Sequence, residues 1–225
     1  AVRTVFEART LGAQAAAVDA APRIRIPPVR PVARDRELPL SYAQERMWFL
    51  DRMRPGRAWY NLPAAVRLTG ALDAPALARG LGEIVRRHES LRTVFKEPQG
   101  PSPHQVVQVV LPAPADRLPV VDLSGLAPHR RDEEARTRSV DEALRPFDLG
   151  TPPLIRSLLL RTASTEHILV VTMHHIVSDG WSNGVLLREL GTGYAAFSGR
   201  RPAALAELPA LPIQYGDFAV WQRRE

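Results

Sequence analysis

The stretch His167-Ile-Leu-Val-Val-Thr-Met-His-His-Ile-Val-Ser-Asp-Gly-Trp-Ser182 decides how this chain is read. Ile168 to Met173 form an almost unbroken apolar run, which predicts a strand buried on both faces. The run ends on paired histidines, His174 and His175. Asp179-Gly180 follows as a turn signal, and then an amphipathic helical pattern begins. A buried strand that carries a histidine to its C-terminal end, followed by a turn and a helix, is a common foundation for a catalytic site.

Successive side chains on a strand point to opposite faces, so His174 and His175 are expected in different environments. One faces a cavity while the other packs in its wall or bonds the backbone. Three chemistries are open to such a pair. One imidazole can act as a general base or positioning group, with Asp179 fixing the local geometry. A metal can be held, but the chain supplies no cysteine and no H-E-x-x-H, and adjacent strand histidines diverge, so no metal is expected. The two rings can also be satisfied core residues. The full H-H-x-x-x-D-G pattern after a buried strand favours the first.

The bulk composition narrows the rest. The chain has 225 residues, 45% of them hydrophobic, with a mean hydropathy of −0.17. That suits one sizeable core. No apolar run reaches the ~18 residues of a membrane span, and the first residues lack the order of a signal peptide. The absence of cysteine excludes disulfides and thiol chemistry and agrees with a cytoplasmic setting. The net charge of +6 prompts a nucleic-acid reading. Against it, Lys96 is the only lysine and the arginines are scattered among acidic residues.

Taken in order, Thr10 is placed as an N-cap for an alanine-rich helix over Leu11 to Ala21. Pro22 to Glu37 holds four prolines and five arginines without periodicity, and reads as an extended tether outside the core. At a polyproline rise of ~3.1 Å per residue it spans roughly 50 Å. Ser41 and Gln44 form a capping box for a helix with Ala43, Met47 and Leu50 on one face. Ala64 to Leu68 is a short strand. Asp73 caps a helix whose buried stripe is Leu77, Leu81, Ile84, Val85 and His88. Gln105 to Leu111 is a strand, Pro112 to Pro119 a loop, and Pro128 opens a third helix. Leu154 to Arg161 and His167 to His175 pair as a hairpin. A helix marked by Val185, Leu186, Leu190, Tyr194 and Phe197 ends at Gly199, and Gln214 to Gln222 is the last element.

Four stretches together carry a family resemblance: Ser41-Tyr-Ala-Gln-Glu-Arg-Met-Trp-Phe-Leu50, Arg87-His-Glu-Ser-Leu-Arg-Thr-Val-Phe95, Met173-His-His-Ile-Val-Ser-Asp-Gly-Trp-Ser182 and Gln214-Tyr-Gly-Asp-Phe-Ala-Val-Trp-Gln222. Arg145-Pro-Phe-Asp-Leu149 and Thr151 to Arg156 are also family-like. In order and spacing they resemble the condensation domains of non-ribosomal peptide synthetases, and more broadly acyltransferases of the chloramphenicol-acetyltransferase type. Val2 to Leu11 is similar to the closing helical segment of a peptidyl carrier domain.

The resemblance implies an α/β fold with a mixed sheet flanked by helices, the first of two lobes. It divides the chain into a carrier-domain helix remnant (1–21), a Pro/Arg-rich linker (22–37) and an N-terminal lobe (38–225), with the second-lobe signatures lying outside these residues. It implies peptide-bond formation: an acceptor aminoacyl amine attacks a donor thioester, each delivered by a carrier domain on a 4′-phosphopantetheine arm. No cofactor is bound directly. The partners implied are the upstream and downstream carriers and the second lobe. His175 is placed beside the reacting atoms, His174 and Asp179 hold geometry, and Gly180 admits close backbone approach and offers an N–H to an oxyanion. The motifs resemble the class that joins two L-residues. The other readings are an epimerisation domain or another acyltransferase with the same heptad, and a non-catalytic carrier-docking module.

Overall fold

Every residue from Leu169 to His174 is buried in the computed structural model, which describes residues 6–21, 27–97 and 106–224. Among these, the elements in chain order are α1 (Leu11–Asp19), β1 (Leu38–Pro39), α2 (Tyr42–Met53), β2 (Asn61–Thr69), α3 (Ala74–Arg87), β3 (Thr93–Lys96), β4 (Val107–Val110), β5 (Val120–Asp122), α4 (Pro128–Leu144), β6 (Ile155–Ala163), β7 (Glu166–His174), α5 (Gly180–Phe197) and α6 (Tyr215–Gln222). The histidine-bearing strand β7 lies inside a four-stranded sheet of order β2-β7-β6-β5. Its pairings with β2 and β6 are antiparallel, whereas β5 runs parallel to β6. A second, antiparallel sheet has the order β1-β4-β3.

Helices on both faces explain why β7 is apolar without alternation. Leu169, Val171 and Met173 meet Leu77, Leu81 and Ile84 of α3 and Leu186 and Leu190 of α5. Val170, on the opposite face, joins Ala135 of α4, Leu123 and Leu160. Each fully buried leucine or isoleucine in these layers contributes about 1.5–3 kcal/mol. The helices α3 and α5 approach closely through a glycine pair: a Cβ added at Gly193 would stand 3.2 Å from Gly80 Cα. A larger side chain at either position pushes α5, and the turn before it, away from the sheet.

Local signals in the sequence match local structure. Thr10, Ser41 and Asp73 cap α1, α2 and α3, and the capping box of Ser41 with Gln44 is formed. The strand expected over Ala64–Leu68 runs further, from Asn61 to Thr69. It includes Pro63, tolerated because β2 is the edge of its sheet as described. The strand β5 has only three residues, too few to show a period, and matches no expected element. Residues 1–5 of the carrier-like segment, 22–26 of the linker and Gln105 lie outside the described residues.

Residues 27–37 of the expected tether are docked. The Trp221 indole N–H donates to Pro27 O at 2.7 Å, and the Val32 N–H donates to the Asp217 carboxylate at 2.9 Å. Arg34 bridges Glu89 and Asp217, at 2.7 Å to each. Residues 27–37 are therefore a strap held to the body by hydrogen bonds and ion pairs, which composition alone does not reveal.

Candidate active site

The strand β7 ends at His174, and the chain then turns into α5. His174 is 1% exposed. Its Nδ1 accepts the Ile176 N–H at 3.1 Å, which places the ring proton on Nε2. That Nε2 has no hydrogen-bond partner among the described residues. The rings of Tyr60 and Phe147 meet the imidazole edge-on, with centroids 6.2 and 6.1 Å away. Burial first, and the neighbouring His175 second, push the His174 pKa down to about 4. His174 is a neutral interior ring at pH 7.

His175 has the opposite character. Its backbone N–H donates to Tyr60 O at 2.8 Å, fixing the main chain beside β2. Its side chain is exposed in a cleft, and Nδ1 lies 2.8 Å from Ser178 O. A carbonyl oxygen only accepts, so Nδ1 carries the proton. In the neutral ring the lone pair is then on Nε2. A backbone carbonyl thus selects the tautomer in which the outer nitrogen can accept a proton.

Asp179 is the N-cap of α5. Its carboxylate accepts the Ser182 N–H at 2.9 Å and the Ser182 hydroxyl at 2.7 Å, and Ser182 Oγ accepts the Asp179 N–H at 3.3 Å. These bonds to Ser182, the side-chain one foremost, hold the carboxyl below the usual carboxylate range. Asp179 is exposed. Asp179→Ala is therefore expected to remove only a cap, at a cost of about 1 kcal/mol. A thermal melt of the 225-residue chain should show Tm lower by roughly 2–4 °C. Gly180 opens the helix, and a Cβ built there meets nothing within 4 Å. The space in front of it is open.

The cleft has a volume of about 430 Å³. The turn His175–Asp179 forms one wall; Ala43, His88, Ser90, Ile213 and Tyr215 contribute to the others. His88 belongs here and not in the core stripe of α3, where the helical period places it. It caps the end of α3, with Nε2 2.7 Å from Glu189 Oε2, and Arg87 Nε lies 3.3 Å from the same carboxylate. Glu189 is 6% exposed. The sequence signal for it is a lone carboxylate among Val185, Leu186, Leu190 and Gly193 on the buried face of α5. Nothing in the sequence marks His88, 101 residues earlier, as its partner. Among the described residues no three His, Asp or Glu side chains converge as metal ligands, and no helix is long and apolar enough to cross a membrane.

A family model for the condensation domain matches residues 34–225. The chain is 44% identical over 227 aligned positions to a linear gramicidin synthase of Brevibacillus parabrevis, an alignment covering 99% of this chain and 4% of that protein. Among solved structures, the complex of the X-domain and OxyB from teicoplanin biosynthesis superposes with a TM-score of 0.74 at 32% identity. That match covers 89% of this chain and 41% of the other. The first condensation domain of the calcium-dependent antibiotic synthetase, in complex with a substrate analogue, gives a TM-score of 0.66 at 25% identity over 74% of this chain and 39% of that one. The chain thus spans about two-fifths of the solved chains it matches and a small part of the gramicidin synthase. Its mixed α/β architecture is the chloramphenicol-acetyltransferase-like fold of these neighbours. With most of its length matched by one family model and relatives above 40% identity, this chain belongs to the condensation-domain family of non-ribosomal peptide synthetases.

Proposed function

We propose that this chain is the N-terminal lobe of a condensation domain that joins two carrier-bound substrates through a peptide bond. One observation carries the reading: His175 projects into an open cleft with Nδ1 tied to Ser178 O and Nε2 left to accept a proton. The acceptor amine attacks the donor thioester carbonyl, and a C–N bond forms. The tetrahedral oxyanion collapses, the C–S bond breaks, and the donor sulfur leaves as a thiol with the proton that the amine gives up. His175 Nε2 receives that proton or holds the amine in line; each role is worth about 10²–10⁴-fold. Gly180 N–H, at the positive end of α5, is the donor offered to the oxyanion. His174 braces the turn from inside, and Asp179 sets the start of α5.

Both substrates arrive on 4′-phosphopantetheine arms of upstream and downstream carrier domains. Residues 1–21 are the end of the upstream carrier, 22–37 the connection, and 38–225 the lobe. A second lobe supplies the facing wall, and the assembly works in the cytoplasm. The class that joins two L-residues fits the motifs. The likeness to an X-domain solved with OxyB supports a second reading, a docking module without chemistry. Single-turnover assays with two loaded carriers separate the two. The complete domain should form dipeptidyl thioester while the 225-residue chain alone forms none. Product from this chain alone contradicts the two-lobe requirement, and no product from the complete domain favours docking.

A further inference from the structure

Behind the cleft lies a second, smaller pocket of about 200 Å³ between α3 and α5. Its lining is mainly Ile84, Leu91, Met173, Val177, Val185 and Leu186. It borders the reacting region, since His88, Ser90 and Ser178 stand in the walls of both spaces. No carboxylate, lysine or arginine lines it. Within it the only titratable side chain is that of His88, whose Nε2 is occupied by Glu189. A charged group entering would lose its hydration without a partner. An apolar cavity of ~150 Å³ accommodates a benzene ring, so this one has room for a branched aliphatic or phenyl group.

The shared wall adds a second observation. Ser178 is 8% exposed, and its Oγ has no hydrogen-bond partner among the described residues. A buried hydroxyl left unpaired costs about 1–3 kcal/mol. A ligand lying at the junction, with a polar main chain in the cleft and an apolar branch in the pocket, would satisfy both the hydroxyl and the apolar lining. An amino acid on a carrier arm has that shape.

We propose that this pocket is a specificity site for the apolar side chain, of leucine or phenylalanine size, of a carrier-bound aminoacyl substrate whose reacting group lies beside His175. The inference rests on the peptide-bond reading above. The donor and the acceptor present the same chemistry to the pocket, so the experiment varies each in turn. A complete domain carrying this lobe is given leucyl, phenylalanyl, aspartyl or glycyl substrate on one carrier, with the other carrier held at glycyl, and single-turnover rates are compared.

On the arm that the pocket serves, leucyl should react at least tenfold faster than aspartyl. Val185→Phe fills the pocket from α5 and should lower the leucyl-to-glycyl rate ratio at least tenfold, in the range that one methylene-sized mismatch commands. Val185→Ala should raise the phenylalanyl-to-leucyl ratio, and it decides the matter if Val185→Phe melts early. Rate ratios unchanged by both variants on both arms overturn the specificity site while leaving peptide-bond formation standing. A parent domain that condenses no substrate overturns both.

Discussion

His175→Ala, in a complete domain built on this lobe, is expected to slow single-turnover condensation by about 10²–10⁴-fold with almost no change in melting temperature. The ring is exposed, and the one side-chain hydrogen bond described for it is that to the Ser178 carbonyl. Exposed substitutions of this kind stay within about 0.5 kcal/mol, or roughly 2 °C in a chain of this size. His174→Ala should behave in the reverse way. That ring is packed between Tyr60 and Phe147 and accepts the Ile176 N–H, so removing it opens a cavity and orphans a donor. Its lost activity should track lost folded protein. Rate and Tm measured for both variants in one preparation check the assignment. An unstable His175→Ala beside a stable, inactive His174→Ala would mean that the two strand faces are exchanged.

Asp217→Ala is expected to be the costliest polar substitution for stability. The carboxylate is 2% exposed and accepts the Val32 N–H at 2.9 Å, an Arg34 guanidinium N–H at 2.7 Å and the Gln214 N–H at 2.7 Å. Breaking a buried ion pair costs about 3–5 kcal/mol. Arg34 is 23% exposed and keeps Glu89, so roughly 2–3 kcal/mol is expected, a fall in Tm of roughly 4–12 °C. Burial alone would raise the Asp217 pKa, but Arg34 and the Gln214 and Val32 N–H groups outweigh it and hold the pKa below the ordinary value. A depressed carboxyl pKa contributes stability above the unfolded value of ~3.9, and that contribution disappears as pH falls through the folded value. The gap in Tm between the parent and Asp217→Ala should therefore be full at pH 7 and narrow below about pH 4. The same variant should expose the strap to trypsin at Arg34 and Arg36. Equal cleavage of parent and variant there would show that the strap is not held by Asp217.

What is legible in the sequence is local. The strand β7 announces itself because it is apolar on both faces. The opposite environments of His174 and His175 follow from the two-residue period. The caps at Thr10, Ser41 and Asp73 lie within three residues of the N–H groups they bond. What is not legible depends on pairs far apart in the chain. Glu189 and His88 are 101 residues apart, and Arg34 and Asp217 are 183; no spacing rule connects them. The exposure of Asp179 is hidden for a related reason. The motif identifies a turn, but burial depends on what lies over the start of α5. The approach of α3 to α5 at Gly80 and Gly193 is likewise hidden, because each glycine alone reads as a weak point in a helix.

The most direct measurement is the identity of the product on the downstream arm. A complete domain carrying this lobe is mixed with a donor carrier bearing one L-aminoacyl group and an acceptor carrier bearing another. The downstream arm is then analysed by mass and by chiral chromatography after a single turnover. Peptide-bond formation predicts a dipeptidyl group on the downstream arm, a free thiol on the upstream arm and retained L-configuration at both residues. An upstream aminoacyl group with inverted configuration, with no amide formed, would contradict this and identify an epimerisation domain instead.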